Sequence, residues 1–153
     1  MIAIASDHIG ILLKKEIEAF LNEKGLVWQD FGAYDEQRTD YPIYAERAAR
    51  AVSNGTCDKG ILICGTGVGI GLAANKIPGI RCATCSEPYS AILSRQHNNC
   101  NMISIGARVI GVEVAKLIIE QWLTTPFEGG RHQRRIDQIA ILEDGGTLQG
   151  GIH

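Results

Sequence analysis

Short apolar runs alternate with longer amphipathic segments along most of this chain, and this alternation restricts the fold more than any other feature. The segments between the runs carry apolar residues at helical spacing, as in Ile11, Leu12, Ile17, Phe20 and Leu21. The predicted strands are, in order, MIAIAS, LVWQDFG, GILIC, GIRCATC and NMISIG. Apolar strands separated by helices pair in parallel and are buried on both faces. The sequence therefore predicts an α/β fold, a doubly wound, Rossmann-like layer with a five-stranded parallel sheet and helices on both faces.

The C-terminal part of the chain, from Pro126 onward, departs from this alternation. Its first half is basic, and residues 131–142 predict an extra C-terminal helix beyond the strand–helix units. We expect residues 143–153, which are rich in glycine, to form a flexible tail. No repeat or linker divides the 153 residues, a length typical of one hydrophobic core, so residues 1–153 are expected to form a single domain.

Charge and cysteine content argue against several classes of partner. Lys and Arg total 15 against 17 Asp and Glu, so the net charge of -2 gives no reason to expect binding to nucleic acid or to an anionic membrane. The N-terminus has no signal-peptide pattern, and no run approaches the roughly 20 apolar residues that span a bilayer. Five irregularly spaced cysteines fit reduced thiols better than disulfides. These features favour a cytoplasmic protein.

Polar or reactive residues follow the predicted strands, in positions that meet at one edge of a parallel sheet. Open α/β sheets bind ligands at this edge, outside the carboxyl ends of the strands. The positions are Asp7 and His8 after the first strand, 32–41 after the second, 64–69 after the third and Arg108 after the fifth. A sheet edge with a purely structural role does not need such residues.

Cys64 lies where the third predicted strand meets a glycine-rich turn, CGTGVG. Free cysteine is commonly a small buried apolar residue, but here the N–H groups of the turn and of the following helix favour a negative charge. A thiolate at this point can act as a base or as a nucleophile. The other four cysteines have no such setting and are expected to be structural.

Known phosphate and nucleotide motifs do not fit this turn. It lacks the G-K-[ST] ending of a P-loop, because Lys76 is not preceded by glycine. A dinucleotide fingerprint matches Gly69, Gly71 and Ala74 only inside the predicted helix. What remains is a loop whose backbone amides converge on an oxyanion or a small anionic substrate, with the Thr66 hydroxyl beside them.

A zinc-like pattern, C-x2-C-x11-H-x2-C, is formed by Cys82, Cys85, His97 and Cys100. Residues three apart in a strand point to opposite faces of the sheet, so Cys82 and Cys85 are not expected to share one ion. We therefore expect no metal site here.

Basic residues gather after Gly130, namely Arg131, His132, Arg134 and Arg135. Arginine clamps phosphate through paired hydrogen bonds. A solvated helix start is an alternative interpretation, but cations at a helix N-terminus oppose the helix dipole, which favours a functional role. Arg108 can reach the same anion, and Asp7, His8 and His97 are candidates for proton transfer.

These motifs together resemble the sugar-phosphate isomerase family that includes ribose-5-phosphate isomerase B and the galactose-6-phosphate and allose-6-phosphate isomerases. The resemblance extends to about Ile136 and rests on IASDHIG, RTDYPIYA, GILICGTGVGIGLAANKIPGIR, CSEPYSAILSRQHNNCN, GARVIG and EGGRHQRRI. It implies interconversion of D-ribose 5-phosphate and D-ribulose 5-phosphate through an enediolate, without a metal or organic cofactor. Two alternatives stay open, a six-carbon sugar-phosphate isomerase and a non-catalytic nucleotide-binding module.

The resemblance also implies a role for each candidate residue. Cys64 would be the base that moves a proton between C2 and C1, while Asp7 and His97 open the furanose ring. The developing oxyanion would be held by Gly65, Thr66, Gly67, Val68 and Gly69. Sugar hydroxyls would be held by Tyr41 and Asn98, and the phosphate by His8, Arg108, Arg131, His132 and Arg135. Some of these would come from the neighbouring subunit of a homodimer.

Overall fold

Five parallel strands form the centre of the fold in the computed structural model, which describes residues 1–150. The strands are β1 (Ile2–Ser6), β2 (Trp28–Asp30), β3 (Lys59–Cys64), β4 (Cys82–Thr84) and β5 (Met102–Gly106). Their order across the sheet is β2-β1-β3-β5-β4, and every neighbouring pair is parallel. The predicted five-stranded parallel sheet is thus confirmed.

Six helices connect and follow the strands: α1 (Ile11–Glu23), α2 (Tyr41–Ser53), α3 (Val68–Ala74), α4 (Pro88–Gln96), α5 (Val112–Thr124) and α6 (Arg131–Glu143). Prolines in the first turns of α2 and α4 suit positions where the backbone N–H has no helical partner. The extra C-terminal helix is present as predicted. The predicted flexible tail begins at its last residue, and residues 151–153 of that tail lie outside the described residues.

Two apolar layers cover the two faces of the sheet. Ile61 and Ile63 of β3 belong to the layer under α1, α4 and α5, whereas Leu62 and Cys64 belong to the layer under α2 and α3. The alternation follows from the period of two residues in a strand. Helices therefore lie on both faces of the sheet, as expected for a doubly wound fold.

The same alternation separates the cysteines of the zinc-like pattern. Cys85 lies in one apolar layer, while Cys82 packs against the other. All five cysteines are free thiols in the structure. In the part of the chain that the structure describes, no helix has the length and apolar character needed to cross a membrane.

Candidate active site

The predicted site residues form two groups at opposite edges of the sheet. Asp7, His8, the loop 64–69 and Arg108 follow β1, β3 and β5, so they lie at the carboxyl edge. His97 and Asn98 follow α4, which returns the chain to the amino end of β5. A strand rises about 3.3 Å per residue, so the six residues of β3 separate the two groups by roughly 17 Å. Within one subunit, the structure does not bring them together.

Cys64 ends β3 and is buried under the glycine-rich loop, with 4% of its surface exposed. The Gly67 N–H donates to Cys64 Sγ at 3.1 Å. Gly67 has a φ of 80°, and a Cβ on this residue would lie 2.8 Å from the backbone carbon of Ile105. The loop therefore needs glycine at position 67, both for its left-handed backbone and for its close approach to β5.

The rest of the loop is tied to the end of β5 and to its own backbone. The N–H of Ala107 donates to the Cys64 carbonyl at 2.8 Å, and that of Arg108 donates to the Gly65 carbonyl at 3.0 Å. The Thr66 Oγ1 accepts from the Val68 N–H at 3.2 Å. This places Arg108 directly beside the loop, as the sequence predicts for residues at one sheet edge.

Tyr41, the first residue of α2, packs on the loop at Gly69. A Cβ at Gly69 would lie 2.6 Å from Tyr41 Cζ, so the ring occupies the space that a side chain would fill. Tyr41 and the predicted loop residues thus share one surface.

The side chains of Asp7 and His8, which follow β1, are held in fixed orientations by hydrogen bonds. Asp7 is buried, and its Oδ1 accepts from the N–H groups of Ile9 at 3.0 Å and Gly10 at 3.1 Å. His8 Nδ1 accepts from the Thr39 N–H at 3.2 Å. Neutral imidazole carries one proton, so this bond leaves Nε2 as the donor nitrogen.

A buried lysine that the sequence analysis missed supports the segment after β2. Lys14 Nζ contacts both carboxylate oxygens of Asp30, at 2.7 and 2.8 Å, and donates to the Ala33 carbonyl at 2.5 Å. That segment leads to Thr39 and Tyr41. A signal was present, since Lys14 lies three residues from both Ile11 and Ile17, on the apolar stripe of α1.

At the amino edge, His97 and His132 stack with ring centroids 4.2 Å apart and planes at 9°. His132 Nε2 lies 3.4 Å from the carboxylate of Glu128, a residue that the sequence analysis did not select. Removal from water lowers the pKa of His132, and the neighbouring His97, Arg131 and Arg135 lower it further, while Glu128 raises it. Arg131 and Arg135 are exposed beside this stack, at the start of α6.

Arginine side chains hold the loop that carries Asn98. Arg81 donates from Nε to the Asn98 carbonyl and from Nη2 to the Asn99 carbonyl, both at 2.9 Å. Arg95 donates to Asn99 Oδ1 at 2.9 Å and to the Cys100 carbonyl at 2.7 Å. Asn98 is therefore fixed near the amino end of β4, away from Cys64.

Three potential metal ligands come together within residues 1–150, namely His97, Glu128 and His132, with ligand atoms within 4.8 Å of one another. Nearly parallel imidazole rings direct their lone pairs side by side, whereas ligands of one tetrahedral ion converge on it. The stack as it stands does not fit a single ion.

Burial keeps three other thiols protonated. It raises the pKa of Cys82 and of Cys85 to about 12 and that of Cys100 to about 11. These values suit structural cysteines, since the reactive form of cysteine is the thiolate.

A family model described as Ribose/Galactose Isomerase matches residues 2–139. The chain belongs to this family. It is 55% identical over 142 residues to ribose-5-phosphate isomerase B of Escherichia coli. The match covers 93% of this chain and 95% of that protein. The family resemblance seen in the sequence is thereby confirmed.

Solved structures of the family share both fold and sequence with this chain. Ribose-5-phosphate isomerase B of Clostridium thermocellum has a TM-score of 0.93 and 46% identity, over 94% of this chain and 97% of that one. The Mycoplasma genitalium enzyme, solved with bound ribulose-5-phosphate, has a TM-score of 0.89 and 43% identity, over 94% of this chain and 95% of that one. The chain is thus an isomerase with the architecture of this family.

Proposed function

We propose that this chain interconverts D-ribose 5-phosphate and D-ribulose 5-phosphate by proton transfer through an enediolate, without a cofactor. The observation that carries the proposal is the thiol of Cys64, held by the Gly67 N–H in a glycine loop at the carboxyl edge of the sheet. Membership of the Ribose/Galactose Isomerase family supports the same reaction.

In the proposed reaction, the thiolate of Cys64 removes the proton from C2 of the open-chain aldose, and negative charge develops on the C1 carbonyl oxygen as the enediolate forms. Cys64 then returns the proton to C1, while the proton of the C2 hydroxyl passes to O1, so that C2 becomes the carbonyl of the ketose. In this proposal, the amides of the loop from Gly65 to Gly69 that do not take part in the loop's own hydrogen bonds, with the Thr66 hydroxyl, stabilise that negative charge, and fixed donors of this kind are worth several kcal/mol. Asp7 and His97 exchange protons with the ring oxygen and the C1 hydroxyl to open the furanose.

Substrate binding uses the remaining candidate residues. Tyr41 and Asn98 hold sugar hydroxyls, and the Nε2–H of His8 donates to the phosphate. The phosphate charge is met by Arg108, Arg131, His132 and Arg135.

We further propose that the active site is shared between two copies of this chain in a homodimer. Its support is the separation of the two groups of site residues, because Cys64 and His97 lie at opposite edges of one sheet. Apolar side chains are also exposed on α3 and α6, with Leu72 62% and Leu142 54% exposed. A cavity of about 650 Å³ between α3, β4 and α6 is lined partly by Asn98 and Leu142.

In this homodimer, α3 of one copy lies near His97 and Asn98 at the amino edge of the sheet in the other copy. In the same proposal, residues 1–153 form one isomerase domain in each subunit. The protein is located in the cytoplasm.

The proposed function is tested by conversion of D-ribose 5-phosphate to D-ribulose 5-phosphate, with a chelator present. The parent is expected to turn over, and Cys64→Ala is expected to lose at least about 100-fold in kcat/KM while keeping its circular dichroism spectrum. Cys57→Ala, a change at another buried cysteine, is the matched control. Equal activity of parent and Cys64→Ala would remove the thiol from the mechanism.

Substrate competition decides between the alternatives. Allose 6-phosphate and galactose 6-phosphate are offered against D-ribose 5-phosphate, and a higher kcat/KM for either would replace the five-carbon assignment. Tight binding of ATP or NAD in equilibrium dialysis, with no turnover of any sugar phosphate, would favour the nucleotide-binding module.

A further inference from the structure

A pair of hydroxyl groups lies directly behind the glycine-rich loop. Thr84 of β4 and Ser104 of β5 are cross-strand partners, and their hydroxyl oxygens are 2.8 Å apart. The Thr84 hydroxyl also donates to the Gly67 carbonyl at 3.3 Å. Since that hydroxyl has one proton, the bond between the pair must run from Ser104 to Thr84.

Ser104 occupies a position where the core would accept an apolar residue. It lies in the run MISIG, between Ile103 and Ile105, and is completely inaccessible to solvent. Burial of a hydroxyl costs free energy unless a hydrogen bond compensates it. The bond to Thr84 compensates the burial of the Ser104 hydroxyl.

Helix α3, which follows the loop, leaves room for the hydroxyl groups of Thr84 and Ser104. A Cβ at Gly71 would lie 2.5 Å from Ser104 Oγ and 2.8 Å from Thr84 Oγ1. The absence of a side chain at Gly71 thus leaves the hydroxyls room to reach the loop.

Gly67 links the hydroxyl pair to the thiol. Its carbonyl accepts from the Thr84 hydroxyl and from the Gly71 N–H at 3.2 Å, while its own N–H donates to Cys64 Sγ at 3.1 Å. A glycine with positive φ has a wide range of alternative conformations. Bonds on both sides of the residue select the one conformation in which the N–H points at sulfur.

We propose that Thr84, backed by Ser104, is a positioning residue that fixes Gly67 so that its N–H stabilises the thiolate of Cys64. Thr84 does not touch the substrate in this proposal. It acts through the loop on the rate of proton transfer. The kinetic part rests on the proposed isomerase function, whereas the effect on thiol reactivity does not.

The test compares Thr84→Val, which keeps the shape and removes the hydroxyl, with Thr84→Ser, which keeps the hydroxyl. Thr84→Val is expected to lower kcat for D-ribose 5-phosphate about fivefold and to leave KM within about twofold, because the hydrogen bond that holds the Gly67 carbonyl is lost. Thr84→Ser is expected to stay within about twofold of the parent in both constants. Thr124→Val, which removes a threonine hydroxyl from the exposed end of α5, controls for general effects.

A second readout follows the thiol directly. The rate of Cys64 alkylation by iodoacetamide at pH 7.5, located by mass spectrometry of peptides, is expected to fall about threefold in Thr84→Val and to remain parental in Thr84→Ser. Ser104→Ala is expected to slow alkylation in the same direction, and it carries the test if Thr84→Val does not fold.

Three outcomes would overturn the proposal: parental kcat and alkylation in Thr84→Val, equal damage in Thr84→Ser, or a rise in KM alone. If the parent converts no sugar phosphate but the alkylation rates separate as expected, the positioning role stands and the proposed function falls.

Discussion

Position 67 requires glycine because of its own backbone conformation and its close contact with β5. Its φ of 80° and the 2.8 Å approach of a Cβ to the Ile105 backbone both exclude a side chain. Gly67→Ala is therefore expected to move the loop, to remove the N–H from Cys64 and to lower kcat/KM about 100-fold. Steady-state kinetics of the folded variant measure this loss.

Gly111→Ala is the matched control, because a Cβ at Gly111 would meet open space and its φ is -78°. If the two variants lost activity equally, the loop geometry would not be the cause.

The carboxyl group of Glu18 is expected to make the free energy of unfolding depend on pH. Burial raises the pKa of its carboxyl, with Asp30 adding to the effect while Lys14 and Lys15 oppose it, and its Oε1 has no hydrogen-bond partner among the described residues. The folded state thus binds this proton more tightly than the unfolded chain, so stability is lost as pH rises through the raised pKa. Glu18→Gln is expected to increase the free energy of unfolding at pH 7 by about 0.5 kcal/mol, a small value because the carboxyl is partly solvated.

Urea unfolding at pH 7 and pH 4 measures this effect. The difference from the parent is expected to shrink at pH 4, below the ordinary glutamate pKa of 4.5, where Glu18 is largely protonated. Glu23→Gln, at an exposed position of α1, is the control. A gain that persisted unchanged at pH 4 would contradict the explanation.

Lys14, the buried lysine of α1, joins that helix to the segment after β2. Removing one partner of a buried ion pair leaves the other charge uncompensated. Lys14→Met is therefore expected to lower the free energy of unfolding by about 3 kcal/mol, because it strands Asp30 and the Ala33 carbonyl. Urea unfolding with Lys15→Met, the exposed neighbour, as the control measures the difference. Equal stability of the two variants would show that the Lys14 contacts contribute little.

The elements themselves could be predicted from the sequence because their signals are local. Apolar runs, helical spacing, and the prolines that open α2 and α4 are readable within a few residues. The boundaries are predicted less accurately: the sequence predicts β4 over seven residues, whereas the strand spans Cys82–Thr84. Strand ends depend on pairing, and β4 pairs only with β5 among the described residues.

Contacts between distant segments could not be predicted in the same way. Lys14 with Asp30, Thr84 with Ser104, and His97 with His132 each depend on how elements pack, which local patterns do not specify. The position of His97 at the far edge could have been inferred, since a helix that joins parallel strands must return to their amino ends.

For the whole molecule, the separation of the two groups of site residues makes the shared site testable by subunit mixing. Cys64→Ala lacks the proposed base, and His97→Ala lacks the proposed ring-opening group, so each variant alone is expected to have little activity. In a mixed dimer, one site would combine the intact Cys64 of one subunit with the intact His97 of the other, while the second site would lack both.

Random mixing makes half of the dimers mixed, and each of these has one intact site of two, so refolding the variants together is expected to restore about a quarter of parental activity. Sedimentation of the mixture checks that dimers form. A refolded mixture of Cys64→Ala with Cys64→Ser corrects for any gain from refolding itself, since it contains no intact site. If sites were complete within one subunit, no pairing of the two variants could restore an intact one, and the mixture would stay at the level of the separate variants. Recovery near one quarter would therefore locate His97 in the site of the opposite subunit.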